Sequence, residues 1–102
     1  MTYAEYAALP DDGHRYQLVE GELIMTTSPT RWHQVVVAEL YAQIREHLRA
    51  HELGQAFIAP LDVILDDRVV LQPDLFFVYN QRASILRDAN VVGAPDLCVE
   101  VL

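Results

Sequence analysis

The chain contains no lysine. All seven of its basic side chains are arginine, set against 15 acidic ones, which leaves a formal net charge of −8. So acidic a surface is a poor electrostatic partner for nucleic acid, whose binding draws largely on cation–phosphate contacts. A nucleic-acid role therefore has to rest on a local arginine patch, a bound metal ion, a partner or a further segment. Cysteine occurs once, at Cys98, which excludes an intrachain disulfide and suits a reducing cytoplasm. The glycines are isolated, so no phosphate-cradling loop is present. No apolar run approaches the roughly 20 residues that span a bilayer. The opening Met1-Thr2-Tyr3-Ala4-Glu5 has neither the basic start nor the apolar stretch of a signal peptide. These absences give the expectation of a cytoplasmic protein with no membrane partner.

What is present suffices for one core. At 102 residues and 52% hydrophobic content, the expectation is a single domain over residues 1–102. Thr2 is placed to cap a short helix, with Glu5 as its capping-box partner. Tyr16–Glu20 and Glu22–Thr26 read as two strands joined at Gly21, a hairpin. The clearest element follows, a helix over about 31–52 capped by Ser28 or Thr30. Along it Val36, Val37, Leu40, Tyr41, Ile44 and Leu48 recur at helical spacing. Gly54 reads as its C-terminal cap. Strands are expected at Gln55–Ile58, Leu61–Leu65 and Val69–Leu71, the last continuing through Pro73 into Leu75–Tyr79. A helical turn over Arg82–Leu86 and a strand from Leu97 to the terminus complete the order. The fold class is α/β with an α+β-like order, the long helix of the N-terminal half packed on a mixed sheet. Leu102 ends the chain in mid-strand, which gives the expectation that the C-terminal part of the domain is lacking. An open terminal strand and an apolar helix face add a homo-oligomer to the expectations.

Asp74 and Glu100 are the residues most expected to carry chemistry. Each stands in an apolar, β-branched run, where an unpaired carboxylate is costly. If their strands are neighbours, the two acids converge on one hard cation, and oxygen donors of this kind suit Mg²⁺ or Mn²⁺. The alternative is a solvent-facing Glu100 and a turn residue at Asp74. His33, near the start of the long helix, is either a metal or phosphate ligand or a helix-start histidine packed beside Trp32. His47 and His51 share a helix face, but without an intervening acid they read as surface histidines near a helix C-terminus. Cys98 reads as a buried core residue.

In order, the chain carries Tyr16-Gln17-Leu18-Val19-Glu20-Gly21-Glu22-Leu23, Ser28-Pro29, His33-Gln34, Ala59-Pro60-Leu61-Asp62-Val63, Gln72-Pro73-Asp74-Leu75 and Ala94-Pro95-Asp96-Leu97-Cys98-Val99-Glu100-Val101-Leu102. This set resembles the Uma-type family of restriction-endonuclease-like proteins, within the PD-(D/E)XK nuclease superfamily. Each short motif is weak alone, and the ordered set is specific. The resemblance implies a restriction-endonuclease-like core and a Mg²⁺- or Mn²⁺-dependent endonuclease acting on DNA. It makes Asp74 the aspartate of the "PD" and Glu100 the acid of the "(D/E)XK", both catalytic and both metal ligands. It adds Glu22 or Glu39 as a further metal ligand, of which Glu22 fits the pattern better, and makes His33 and Gln72 line the site. The lysine of the motif falls at Leu102, so the chain is expected to carry only part of a catalytic site. The other reading is a non-catalytic binding or assembly domain that keeps the scaffold.

Overall fold

A computed structural model describes residues 1–102. Helix α1 (Tyr3–Ala7) opens the chain, and its capping box is formed as expected, with Thr2 and Glu5 each satisfying the other's backbone N–H. Strands β1 (Arg15–Val19) and β2 (Glu22–Thr26) pair from Val19↔Glu22 to Arg15↔Thr26. The two residues between them, Glu20 and Gly21, both have positive φ (49° and 81°), the geometry of a tight hairpin turn.

Helix α2 (Arg31–Ala50) is capped by Thr30, whose side chain accepts from the His33 N–H. Its inward stripe runs through Val37 and Leu48, both buried, with Leu40, Tyr41 and Ile44 half-buried between them. Val36 lies off that stripe and is exposed, contrary to the expectation from spacing. The helix also stops earlier than expected. Glu52, not Gly54, takes the left-handed conformation (φ 52°). Gly54 instead begins β3 (Gly54–Ile58), where a Cβ would run into the Val78 carbonyl oxygen.

The remaining strands are β4 (Asp62–Asp66), β5 (Val69–Leu71), β6 (Leu75–Tyr79), β7 (Asn90–Val92) and β8 (Leu97–Val99), with a 3₁₀ helix over Asn80–Ile85. They form two sheets. A five-stranded sheet has the order β2-β1-β5-β4-β7, parallel only between β4 and β7. A three-stranded antiparallel sheet has the order β3-β6-β8. The segment read as one strand through Pro73 is therefore two: Gln72-Pro73-Asp74 carries the chain from one sheet to the other. Proline has no N–H for a ladder, and a buried proline is a natural place to leave one. Val63 and Val91 of the larger sheet meet Phe76 and Val78 of the smaller one in a shared core.

Strand β8 ends at Val99, so Glu100 lies just past it rather than inside it. Cys98 is exposed on this edge strand, not buried as expected.

Candidate functional site

The β6–β8 register places the two acids. Leu75 pairs with Val99, so Asp74, one residue before β6, faces Glu100, one residue after β8. The Asp74 N–H donates to Glu100 Oε1 (3.3 Å), and the Val101 N–H donates to Asp74 Oδ2 (2.8 Å). His33 joins them from α2. Four residues before Val37, it shares the helix's inward stripe, and its Nε2–H donates to the same Asp74 Oδ2 (3.1 Å). The three residues come from three separate segments and line one cleft of about 690 Å³, bounded by the end of the β1–β2 hairpin, the start of α2 and the β6–β8 ends.

The electrostatics follow from this crowding. Glu100 as a whole is exposed, yet partial burial of its carboxyl, and second the charge of Asp74, raise its pKa above the usual carboxylate value. Two acids held this close resist ionising together, and a cation between them would relieve the strain. About 15% of the Asp74 side chain stays accessible, so a hydrated ion can reach it. No group of three or more His, Cys, Asp or Glu side chains is arranged to hold an ion. A pair of carboxylates still fits Mg²⁺, which keeps several of its waters and binds proteins through one or two carboxylates.

Gln72 also lines the cleft, and its backbone N–H donates to Gln17 Oε1 (2.7 Å). Its side chain bridges two groups: Oε1 accepts from Arg15 Nε (3.1 Å), and Nε2 donates to Asp62 Oδ1 (2.9 Å). The Tyr6 hydroxyl donates to that same Asp62 oxygen (3.0 Å). Burial, and then the Asp62 charge, raise the Tyr6 pKa well above that of a free phenol. A polar chain thus runs from α1 through Asp62 and Gln72 to Arg15 at the cleft.

Glu22 remains exposed at the hairpin turn and does not line the cleft. Glu39 lies on the helix surface, bonded by Gln43 (3.1 Å). His47 and His51 stack on each other (ring centroids 4.3 Å apart) near the far end of α2. Sequence reasoning missed Arg15 and Gln17 as cleft residues. They stand at every second position of β1, opposite in facing to the fully buried Leu18, and alternation of this kind does not tell a cleft face from a solvent face.

A comparison with curated proteins returns no match. Among solved structures, the chain is similar to one titled as a putative nuclease belonging to DUF820 from Anabaena variabilis ATCC 29413. The TM-score is 0.82 and the identity 22%, over all of this chain and 58% of that one. That likeness establishes the fold, and the chain spans little more than half the length of this relative. The Uma2 model, described as "Putative restriction endonuclease", matches residues 3–102, nearly the whole chain and every segment that builds the cleft. The chain therefore belongs to the Uma2 family.

Proposed function

We propose that the chain carries the acidic part of a metal-dependent endonuclease site that hydrolyses DNA phosphodiester bonds. The observation that carries this reading is the juxtaposition of Asp74 and Glu100 across the β6–β8 ends, with His33 bonded to Asp74. Family membership supports the same class of reaction. Asp74 and Glu100 would hold Mg²⁺ or Mn²⁺. When bound, such an ion polarises a phosphoryl oxygen and makes a bound water more acidic. The chain's own residues prepare the site. His33 and the Val101 N–H fix Asp74 Oδ2 from two sides, which holds the carboxylate in one orientation. Arg15 brings a permanent positive charge to the cleft, and Gln72 and Asp62 fix where it sits.

The second reading, a non-catalytic binding or assembly domain, draws on the absence of lysine and the net charge of −8. One experiment separates the two. The full-length protein is incubated with DNA in Mg²⁺, in Mn²⁺ and in EDTA. We expect cleavage with either metal and none in EDTA. Asp74→Ala and Glu100→Ala abolish it with the fold intact by circular dichroism, and His33→Ala lowers it by about 10- to 100-fold, because Asp74 loses the imidazole that orients its carboxylate. Cleavage that survives both acid substitutions would overturn the site assignment, and a folded, DNA-binding but inert protein would favour the second reading.

A further inference from the structure

Trp32 is the chain's sole tryptophan, and it is 68% exposed. A side chain of this size is ordinarily well buried, so its exposure at a cleft is informative. Its place follows from α2. Thr30 caps the helix, so Trp32 and His33 are consecutive residues of the first turn and point about 100° apart. His33 turns in to Asp74, while Trp32 turns to the rim of the same cleft. One face of the indole is already taken, by the Arg31 guanidinium 4.9 Å from the ring centroid. The exposed side chains of Ile24, Met25 and Val36 line the cleft beside it.

We infer that Trp32 is a stacking platform for an unpaired nucleobase, and that the substrate class is single-stranded or locally unpaired DNA rather than an intact duplex. The inference rests on the nuclease reading of the adjoining acids, and it names the substrate of that site. The free face of the indole offers a base a π-surface, and Arg31 strengthens the stack while standing ready for a neighbouring phosphate. A base inside a duplex has no free face to offer, so the platform selects strands whose bases are unstacked. Charge points the same way. A chain of net charge −8 has little to give a continuous duplex backbone, whereas stacking supplies affinity without cations.

The single tryptophan makes the test direct. In EDTA, protein is titrated with a single-stranded oligodeoxynucleotide, with the blunt duplex of the same sequence, and with inorganic polyphosphate, and indole fluorescence is followed. We expect strong quenching by the single strand, weak quenching by the duplex and none by polyphosphate. By anisotropy of a labelled single strand, Trp32→Ala binds about 5- to 150-fold more weakly, and Trp32→Phe retains most of the affinity. Equal affinity for duplex and single strand, or an unchanged Kd in folded Trp32→Ala, overturns the inference. The two readings fail separately. Cleavage in Mg²⁺ without quenching by single strands in EDTA refutes the platform alone. Quenching without any cleavage by the full-length protein upholds the platform and removes the nuclease reading.

Discussion

Glu100 shows what a single side chain contributes and costs. Its folded pKa lies above the ordinary value of 4.5, first through partial burial and then through Asp74. The folded protein therefore holds the Glu100 proton more tightly than the unfolded chain does. The stability this gives is fully present below the unfolded pKa and is lost as pH rises through the folded one. At neutral pH the site is under charge repulsion that a divalent cation would remove. Glu100→Gln keeps an oxygen to accept from the Asp74 N–H and deletes the charge. In EDTA we expect the variant to melt no lower than the parent at pH 7–8, with its relative advantage shrinking as pH falls towards about 4.5. Adding Mg²⁺ should raise the melting temperature of the parent and not of the variant. Thermal melts across pH with and without Mg²⁺ check this. A variant less stable at every pH would mean that Glu100 is structural.

At the scale of elements, the site depends on how closely the smaller sheet packs. Gly54 pairs with Tyr79 at the end of the β3–β6 ladder, and any Cβ there meets the backbone of Val78 and Tyr79. Backbone cannot yield as a flexible side chain does. Gly54→Ala should therefore destabilise the fold by about 1–3 kcal/mol, read from chemical denaturation. An unchanged midpoint would show that α2 and β3 shift freely. The same glycine shows where sequence reading reaches its limit. Locally it is a good helix cap, and only the approach of β6, distant in the chain, reveals its other role. Elements with strong local signals were legible: the Thr2 capping box, the Gly21 hairpin and most of the α2 stripe. Strand β7 was not, because Asn90-Val91-Val92 is too short for alternation and is held by its parallel partner β4. Apolar pattern alone carried the strand reading through Pro73, since nothing in it reports a change of sheet. In the candidate site, Asp74 and Glu100 were legible because a motif marks them, and His33 because the family resemblance places a His-Gln pair at the start of the long helix. Arg15 and Gln17 were not, since polar residues alternating on a strand look the same whether they face solvent or a cleft.

For the whole molecule, the distribution of arginines sets the terms of any DNA contact. Arg82 is tied to Asp96 (3.2 Å), and Arg68 donates to the Glu20 carbonyl (2.8 Å). Arg45 and Arg49 lie 14 and 18 residues along α2 from Arg31, about 21 and 27 Å away at the rise of an α-helix. Arg87 sits in the short loop before β7. None of these five lines the cleft; Arg15 does, and Arg31 reaches its rim by stacking on Trp32. Two cations can neutralise about two phosphates. For a single strand, that predicts a slope of about −1.4 for log K against log salt concentration, far shallower than for a protein that tracks a backbone with many cations. Binding should hold at physiological salt, because the stacked base contributes a term that salt does not screen. Anisotropy titrations in EDTA over a range of NaCl concentrations measure the slope directly. A slope steeper than about −3 would require at least four phosphate contacts. The strand would then have to run over arginines outside the cleft, and Trp32 would no longer explain how so acidic a chain binds DNA.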